Sequence, residues 1–514
     1  MELNRLILTP PQMRTAELAA TSHGITVEAL MDNAGEALGR EVLSAAQRLM
    51  KRNILIICGV GNNGGDGFVA ADYLLRSAAR IALITCGEPK TEISKAAYAR
   101  VKGRCEEYPL EKALESPEII DKAEIIVDCV YGIGFHGVLP YEVQRLFLRC
   151  SLGNAYRIAC DAPSGINSMS GRISPNAFEA HETVTFHRPK LGMLLSPAKE
   201  RCGKITTVEI GIGDYVEEYA KVQLTAADRE LVRPMLPYRV EDSHKGVFGR
   251  VVLVCGSTAY PGAAMIAAGS ALRSGVGIVN LCTHQQVVMS AVAKMPECTF
   301  TPLSCDEQGY IGRDALDAIL KATERAGACV IGCGLGKTEQ LEELVCELIR
   351  KVRCPLIIDA DGINCLSLHI DVLKEKQTEV VLTPHPAELA RLCGTDTASV
   401  TQDLFGHACE IAEQYGVTVH AKSTQTLTVR DKTCYLTDFG CSALAKGGSG
   451  DMLAGLIGGF MAQGVSADSA CVLADYVMGS SARALCETLS PRGIVASDII
   501  SRIPRTLFEL EHDL

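Results

Sequence analysis

Four segments in the first half of the chain share one pattern: a short aliphatic and β-branched run, a glycine-containing turn, and a helix-like stretch. Short apolar runs that alternate with helices are typical of a parallel sheet covered by helices on both faces. Ligands of such sheets bind at the carboxyl ends of the strands, where all four turns fall. The turns are therefore predicted to form one site, and the segments are NILIICGVG, IALITCGE, AEIIVDCVYG and YRIACDAPSG.

The second half of the 514-residue chain begins a new series of the same kind. Its apolar runs are GRVVLVCGS, GIVNLCT, ACVIGCGLG, PLIIDADG, EVVLTPHP and VTVHAKS, and TLTVRD followed by KTCYLT indicates a β-hairpin. Segment 215–228 is polar and lacks a strand pattern, so we place a boundary there, with domains at 1–218 and 225–514. The halves share an α/β architecture but not a sequence, and we expect two different sites.

Composition excludes several classes of protein. Hydrophobic residues make up 47% and charged residues 22%, which are ordinary values for a folded globular protein. The net charge of −11 and the lack of a basic run predict no general affinity for nucleic acid or anionic membranes. The uncharged stretch 251–272 is interrupted by glycines and a proline, which favours a strand, a loop and a helix over a membrane span.

The 22 cysteines favour reduced thiols over a disulfide scaffold, because the opening segment MELNRLILTPPQMR lacks the apolar core of a signal peptide. We therefore expect a cytoplasmic protein. Cys329 and Cys333 lie on an apolar run with no clustered histidine, so we interpret them as buried hydrophobic residues and not as zinc ligands.

The loop at 59–67, GVGNNGGDG, follows a buried-looking strand and precedes a helix. It matches the GxGxxG pattern of dinucleotide-binding folds, with Glu88 as a candidate ribose ligand, but this pattern alone has low specificity. A carboxylate beside a diphosphate is repulsive, whereas the amide and carboxylate oxygens of Asn62, Asn63 and Asp66 suit a hard cation. The loop is predicted to bind a cation or a polar substrate group.

Two further acids, Asp128 and Asp161, follow strands in the same way. A carboxylate at this position faces the ligand crevice, although it can also cap a helix. Ser164 is a candidate for either a cap or a ligand. Lys190 is predicted to contact a phosphate, to neutralise Asp161, or to lie on the surface in solvent.

These segments, in this order, closely resemble the NAD(P)H-hydrate epimerase domain over residues 9–215. The quoted matches are TPPQMRTAE, LMDNAGEAL, GNNGGDG, VDCVYGIGFHG, DAPSG and TVTFHRPKLGMLLSPAK. The resemblance implies a Rossmann-like three-layer domain that interconverts the R and S epimers of NADHX and NADPHX, the hydrated cofactors, and that binds K⁺. It implies K⁺ ligands at Asn63, Asp128 and Ser164, proton transfer by Asp161, and substrate contacts at Asn62, Asn63, Gly64, Gly65, Asp66, Gly132, Ile133, Gly134, Phe135, His136, Gly137, Val138 and Asp161.

The strongest signal of the second half is ALAKGGSGDMLAGLIGGF at 443–460. Gly447, Gly448 and Gly450 allow backbone amides to converge on an anion, and a helix that begins near Asp451 adds the positive end of its dipole. Asp451 is predicted to be a catalytic base, with a simple helix N-cap as the alternative.

This turn is typical of ribokinase-like phosphotransferases, and residues 226–510 resemble the NAD(P)H-hydrate dehydratase domain. The other matching segments are KGVFGRVVLVCGSTAYPGAAMIAAGSALRSGVGIV, GCGLG, IIDADGIN and LTPHPAEL. The fused arrangement resembles the bacterial bifunctional enzyme, which implies ADP with Mg²⁺ as the phosphoryl donor. The resemblance implies substrate contacts at Ala263, Gly336, His385 and Asp451, and nucleotide contacts at Lys422, Ser423, Thr424, Gln425, Thr426 and Gly450.

The sequence departs from this family at two places. Ser423 in AKSTQT stands where a glycine is usual, and GCSALA replaces the usual GNPGMA before the glycine turn. Lys422 and Asp451 are retained, so we expect catalysis to be retained and the two departures to bear on donor preference and affinity. His385 lies between two prolines that hold it extended after a strand, which favours ligand contact.

Two other functions are compatible with parts of the sequence. A small-molecule kinase with an accessory domain explains KGGSGD but not GNNGGDG with DAPSG, and a nucleotide-binding scaffold does not explain acids in both halves. The segment SADSACVLADYVMGSSARALCETL has an apolar face that fits either the core or an interface. We expect the protein to be a homo-oligomer. Its expected partners are the small molecules NADHX, NADPHX and ADP.

Overall fold

A computed structural model describes residues 5–213 and 222–513 of the chain. The chain divides into two compact units between Gln223 and Leu224. The predicted end of the first domain, at residue 218, lies outside the described residues.

The first unit contains a fully parallel seven-stranded sheet, with α-helices in the connections, which confirms the predicted fold class. The seven strands of this sheet are β2 (Asn53–Cys58), β3 (Arg80–Thr85), β4 (Glu106–Pro109), β5 (Ile125–Cys129), β6 (Tyr156–Cys160), β7 (Glu182–Phe186) and β8 (Lys204–Val208), and the short strand β1 (Leu6–Ile7) is not part of it. The helices are α1 (Pro10–Ser22), α2 (Val27–Leu49), α3 (Asn62–Leu74), α4 (Glu92–Val101), α5 (Leu110–Glu115), α6 (Glu118–Asp121), α7 (Tyr141–Leu152) and α8 (Lys199–Cys202).

The strand order of this sheet is β4-β3-β2-β5-β6-β7-β8. Strand β2 therefore lies between β3, which follows it, and β5, which comes later in the chain. The order reverses at this point, and the crevice between β2 and β5 opens at their carboxyl ends. The glycine loop at 59–67 and Asp128 both belong to this crevice.

Alternate residues of β2 enter two hydrophobic clusters on opposite faces of the sheet. Ile54, Ile56 and Cys58 pack in a cluster with residues of α1, α2 and α3, while Leu55 and Ile57 pack with residues of α5 and α7. A strand that is apolar on both faces needs helices on both sides, which is why the run NILIIC produces a three-layer unit.

The second unit contributes ten strands in the order β9-β18-β17-β16-β15-β14-β13-β10-β11-β12. The strands are β9 (Gln223–Ala226), β10 (Arg250–Val254), β11 (Ile278–His284), β12 (Thr299–Leu303), β13 (Ala328–Ile331), β14 (Leu356–Ile358), β15 (Val380–Leu382), β16 (Thr418–Ala421), β17 (Thr426–Arg430) and β18 (Thr433–Thr437). From β16 to β12 the neighbours are parallel, and β17 with β18 forms the predicted antiparallel hairpin.

Helices surround this second sheet. They are α9 (Arg229–Val232), α10 (Pro261–Arg273), α11 (Gln285–Val292), α12 (Leu316–Thr323), α13 (Glu339–Lys351), α14 (Ala360–Leu366), α15 (Pro386–Leu392), α16 (Thr397–Gln402), α17 (Leu404–Tyr415), α18 (Ser449–Ala462), α19 (Ala467–Cys486) and α20 (Ala496–His512). Stretch 251–272 forms β10 and α10, as predicted, and residues 5–213 and 222–513 contain no helix long and apolar enough to cross a membrane.

Glycines let α18 approach its neighbours closely. A Cβ on Gly455 would lie 2.2 Å from the carbonyl oxygen of Ala267, and one on Gly458 would lie 2.4 Å from Val330 Cγ2. Helix α19 buries Leu473 and Val477 in the same core. The apolar face of this helix, which the sequence assigned to either the core or an interface, thus contributes to the core.

Candidate active sites

The glycine loop of the first unit packs its backbone directly against other backbone. A Cβ on Gly59 would lie 2.0 Å from the carbonyl oxygen of Val130, and a Cβ on Gly64 would lie 1.9 Å from the carbonyl oxygen of Gly59. Only glycine allows the loop after β2 and the loop after β5 to approach each other this closely.

Asp128 and Ser164 form one hydrogen-bonded group beside this loop. The carboxylate of Asp128 accepts hydrogen bonds from the Ser164 amide (2.7 Å), the Ser164 hydroxyl (2.7 Å) and the Val130 amide (3.1 Å). Burial raises the pKa of Asp128 to about 6, and these hydrogen bonds oppose the rise. The Ser164 hydroxyl also accepts from the Tyr131 amide at 2.7 Å, so it fixes the start of the loop at 132–138.

Asn63, the third predicted cation ligand, lies against that loop. A Cβ on Gly132 would lie 3.0 Å from Asn63 Oδ1. The side-chain nitrogen of Asn63 is buried and has no hydrogen-bond partner among the residues that the structure describes. The structure therefore brings the amide of Asn63 to the loop that Ser164 holds.

Asp161 is held in a left-handed backbone conformation with φ +61°. Its carboxylate accepts hydrogen bonds from Lys190 Nζ (2.5 Å), the Thr185 hydroxyl (3.2 Å) and the Phe186 amide (3.2 Å). Lys190 is 0% exposed, and its ammonium also donates to Thr185 and to the carbonyl oxygen of Phe186. Lys190 is therefore the partner that neutralises Asp161, which is one of the three interpretations from the sequence. It is not a surface lysine.

Two further carboxyl groups belong to this site. Burial, and then the charge of Asp161, raises the pKa of Glu17 on α1, while Lys190 and Arg14 oppose the rise. Burial, and then Asp161 and Glu17, raises the pKa of Asp66 well above its usual range. Glu17 and Asp66 therefore retain protons more readily than isolated acids do, which suits a role in proton exchange. The sequence analysis did not identify Glu17, although it lies in the quoted segment TPPQMRTAE.

The remaining predicted substrate residues of this unit surround the crevice. Gly134, His136, Gly137 and Val138 are exposed, while Gly132, Ile133 and Phe135 are half-buried, and the rings of Phe135 and Tyr131 are 5.2 Å apart. Asn62 is exposed and accepts a hydrogen bond from the Thr91 hydroxyl at 2.8 Å, and Gly65 packs against Met31. Loop 132–138 thus offers an accessible surface beside the buried acids.

In the second unit, Asp451 is the third residue of α18, which begins at Ser449. The helix starts two residues before Asp451, and its N-cap is Gly448, with φ +96°. The N-cap interpretation of Asp451 is therefore wrong. Burial, and then the charge of Asp359, raises the pKa of Asp451.

Asp359 is a further acid of this second site, and the sequence analysis did not identify it. It follows β14, is 1% exposed, and accepts hydrogen bonds from Lys422 Nζ (2.6 Å) and the Thr383 hydroxyl (2.6 Å). Ligand atoms of Asp359, Asp451 and Cys333 lie within 4.8 Å of one another. The signal in the sequence was its position after a strand in IIDADG, the same signal that identified Asp128 and Asp161.

Lys422 and Gly450 complete this cluster. Burial opposes the charge of Lys422, but the carboxylates of Asp359 and Glu388 outweigh it, so the pKa of Lys422 is raised. A Cβ on Gly450 would lie 3.6 Å from Lys422 Nζ and 3.8 Å from Asp359 Oδ2. The glycine turn, the lysine and two acids therefore face a common space.

His385 serves as the N-cap of α15. Its Nδ1 accepts hydrogen bonds from the amides of Ala387 (3.1 Å) and Glu388 (3.4 Å), and the Glu388 side chain accepts from the His385 amide in return. Burial, and then Lys422, lowers the pKa of His385, which favours the neutral ring. Because Nδ1 acts as the acceptor, the proton lies on Nε2, 3.3 Å from Glu388 Oε1.

Ala263 of α10 packs against loop 332–336, which ends at Gly336. A Cβ on Gly334 would lie 2.7 Å from Ala263 Cβ, and the Gly336 amide donates to Asp361 at 2.8 Å. Gly336 has φ +82° and packs against the ring of Tyr310.

A cavity of about 470 Å³ opens beside the glycine turn. Five of the six predicted nucleotide residues line it, namely Lys422, Ser423, Thr424, Thr426 and Gly450. The sixth, Gln425, is buried and donates its amide to Asp438 at 2.9 Å. Cys441 and Ser442, two residues of the departing segment GCSALA, also line the cavity.

Comparison with family models matches both halves of the chain. Residues 27–192 match the family described as YjeF-related protein N-terminus, and residues 251–505 match the family described as NAD(P)H-hydrate dehydratase.

Two solved structures are each similar to about half of the chain. The ADP/ATP-dependent NAD(P)H-hydrate dehydratase of Bacillus subtilis, which was co-crystallised with ATP and Mg²⁺, is 30% identical with a TM-score of 0.48. It covers 55% of this chain and 98% of its own. A hypothetical protein of Streptococcus mutans is 25% identical with a TM-score of 0.50, covering 56% of this chain and 100% of its own.

Full-length relatives carry both halves. The bifunctional NAD(P)H-hydrate repair enzyme Nnr of Moorella thermoacetica is 32% identical, covering 97% of this chain and 95% of its own length. The protein of the same name from Coxiella burnetii is 31% identical, covering 96% of this chain and 97% of its own length. The chain therefore belongs to the family of bifunctional NAD(P)H-hydrate repair enzymes, with an epimerase domain and a dehydratase domain in one polypeptide.

Proposed function

We propose that the crevice between β2 and β5 epimerises NADHX and NADPHX, and that the cluster around Asp451 dehydrates the S epimer with ADP as the phosphoryl donor. One observation carries the assignment of the second site. Asp451, Asp359 and Lys422 meet at a glycine turn that opens on a cavity of about 470 Å³. A base, a cation and a set of amides around an open cavity are the elements that phosphoryl transfer requires.

In the proposed dehydration, Asp451 removes the proton from the hydroxyl of the hydrated ring. The hydroxyl oxygen attacks the terminal phosphorus of ADP, and the bond to AMP breaks while Lys422 and the glycine turn stabilise the charge. The ring nitrogen then expels phosphate, the adjacent ring carbon loses a proton, and the double bond of NAD(P)H is restored. The raised pKa of Asp451 makes it a stronger base than an exposed aspartate.

The second site also fits Mg²⁺. The carboxylates of Asp359 and Asp451 are hard oxygen donors of the kind that hold this ion, whereas the thiol of Cys333 is soft and does not suit it. Mg²⁺ would neutralise the phosphate oxygens of the donor nucleotide. Lys422, whose ammonium lies 2.6 Å from Asp359, is a second positive charge beside this position.

In the proposed epimerisation, Asp161 exchanges a proton with the hydroxyl or the ring nitrogen of the hydrate. The hydroxyl leaves or the ring opens, and re-addition on the other face gives the other epimer. Lys190 holds the carboxylate of Asp161 in place, and Glu17 and Asp66 supply further titratable groups. The reaction involves no change of oxidation state, so the site needs only proton transfer and orientation.

The first site fits K⁺ through Asn63, Asp128 and Ser164. A carboxylate, a hydroxyl and an amide supply oxygen donors with a single negative charge, which suits a monovalent hard cation. The buried side-chain nitrogen of Asn63 lacks a hydrogen-bond partner among the described residues, and a flipped amide would place its oxygen there instead. A bound K⁺ would orient loop 132–138 and the polar groups of the substrate.

The cysteines support a cytoplasmic location for this activity. All 22 cysteines are free thiols, the state that a reducing compartment maintains. A homo-oligomer remains our expectation, which sedimentation velocity of the purified protein would test.

The deciding experiment mixes the purified protein with an R and S mixture of NADHX, Mg²⁺, K⁺ and either ADP or ATP. Absorbance of reduced nicotinamide is followed to completion. We expect recovery of the whole mixture with ADP. Recovery of the S fraction alone would contradict the epimerase assignment, and a phosphorylated product without nicotinamide recovery would favour a small-molecule kinase.

A further inference from the structure

The wall of the nucleotide cavity includes a cysteine that has a second cysteine beside it. Cys441 lines the cavity, and its Sγ lies 3.9 Å from Sγ of Cys486, the last residue of α19. Both side chains are half-buried, so small oxidants can reach them. Cys486 is not among the residues that line the cavity.

The segment around Cys441 is anchored to the same helix. Arg483 of α19 donates hydrogen bonds to the carbonyl oxygens of Phe439 (2.7 Å), Asp438 (2.9 Å) and Gly440 (2.9 Å). Packing adds to this anchor, because a Cβ on Gly479 would lie 2.4 Å from the carbonyl oxygen of Phe439. The two sulfur atoms are therefore held near each other by contacts that do not depend on them.

The two cysteines of the pair differ in their surroundings. Burial, and then a hydrogen bond with Cys441, raises the pKa of Cys486. Cys486 therefore keeps its proton more readily than a free thiol does. This arrangement favours Cys441, on the cavity side, as the first sulfur to be oxidised.

We propose that Cys441 and Cys486 form a redox-sensitive dithiol that weakens binding of the donor nucleotide when a peroxide oxidises it to a disulfide. The Cys441 thiolate attacks a peroxide oxygen, the O–O bond breaks, and an alcohol or water leaves with the proton. The Cys486 thiol then attacks the resulting sulfenic acid, the S–S bond forms, and water leaves. In total, two thiols lose two electrons and two protons, and the peroxide is reduced.

The effect on the cavity follows from the distances. A disulfide bond is about 2.05 Å long, so the sulfur atoms must approach each other by about 1.9 Å. Because Cys441 lines the cavity and Cys486 does not, closing this distance draws the Cys441 side chain toward α19 and changes the cavity wall. Loss of one or two nucleotide contacts corresponds to about a tenfold rise in the Kd of ADP. This inference rests on the proposed function only in taking the cavity to bind ADP.

The test treats the full-length protein with hydrogen peroxide and then alkylates the remaining thiols. Peptide mass spectrometry identifies disulfides, and isothermal titration calorimetry measures the Kd of ADP for reduced and oxidised samples. Cys486→Ser removes the pair without changing a residue that lines the cavity. Cys105→Ser, in the first unit, is the matched control, because Cys105 is also half-buried.

We expect a peptide linked through Cys441 and Cys486, and about a tenfold rise in the Kd of ADP that dithiothreitol reverses. Cys486→Ser should abolish both effects, and Cys105→Ser should leave both intact. Absence of the linked peptide, or a linked protein with an unchanged Kd, would overturn the proposal. If the reduced protein binds neither ADP nor ATP, the proposed function itself is wrong, and the mass spectrum still reports separately whether the disulfide forms.

Discussion

The two glycine-rich turns of this chain look alike in sequence but pack in opposite ways. Gly59 and Gly64 of the first unit bring backbone against backbone, at distances that leave no room for a Cβ. Gly450 of the second unit faces Lys422 and Asp359 across ordinary contact distances and opens on a cavity. Gly59 and Gly64 therefore serve the packing of the first turn, whereas Gly450 leaves the second turn open to the cavity.

The lysines that pair with the acids of the two sites differ in their exposure to solvent. Asp161 is neutralised by a lysine that is 0% exposed, so the first site is closed around its charges. The side chain of Lys422 is 20% exposed and borders the cavity, so it can exchange Asp359 for a phosphate oxygen. This difference matches the proposed reactions, since proton transfer needs a fixed acid and phosphoryl transfer needs an accessible cation.

The largest expected effect distinguishes the dehydration reaction from the epimerisation reaction. Asp451→Asn removes the proposed base, so kcat of ADP-dependent recovery of NADH should fall by about a thousandfold or more. Epimerisation, followed by chromatography of the R and S forms, should be unchanged. Asp431→Asn, at an exposed turn, is the matched control. Equal loss of both activities would contradict two separate sites.

A second substitution tests the packed turn. Gly64→Ala places a Cβ 1.9 Å from the carbonyl oxygen of Gly59, so the backbone must shift. We expect the free energy of unfolding of the first unit to fall by about 3 kcal/mol, as in overpacked cores. Gly61→Ala meets nothing within 4 Å and should cost about 1 kcal/mol, the loss of a favourable N-cap glycine. Urea denaturation of the two variants measures the difference, and equal costs would refute the packing argument.

The glycine turn of the second unit, which opens on the cavity, should respond differently to a glycine-to-alanine substitution. Gly450→Ala makes only ordinary contacts, at 3.6 Å and 3.8 Å, so the free energy of unfolding should not fall. The methyl group occupies space intended for phosphate, and kcat/KM for ADP should fall by about tenfold or more. Gly493→Ala, also with room for a Cβ, is the control. Unchanged kinetics would show that the turn does not contact the donor.

The smallest expected effect concerns Glu17, one of the acids of the first site. The pKa of Glu17 is raised in the folded protein, so Glu17 favours folding at low pH and loses this contribution as the pH rises through its folded pKa. Glu17→Gln should therefore raise the free energy of unfolding at pH 7 by about 1 kcal/mol or less, allowing for solvent screening, with no gain at pH 4. Urea denaturation at both pH values measures this, with exposed Glu115→Gln as the control. A gain of equal size at pH 4 would contradict the assignment.

Much of the architecture followed from local patterns. Continuous apolar runs such as NILIIC predicted buried parallel strands, and the glycine turns predicted where ligands bind. The positions of Asp128 and Asp161 predicted that both lie at the carboxyl ends of strands, and the neighbouring parallel strands β5 and β6 do end next to these residues. Position in the chain did not reveal that Asp128 binds Ser164 or that Lys190 is fully buried.

The sequence by itself determined the two α/β units, the strand ends that carry acids and the family, because strand periodicity and glycine turns act over a few residues. Only the tertiary structure decided that Glu17 belongs with Asp161, that Asp359 pairs with Lys422, and that Cys486 reaches Cys441. These partners are between 45 and 144 residues apart in the chain. Their contacts depend on how helices pack across a sheet, and no local pattern encodes that packing.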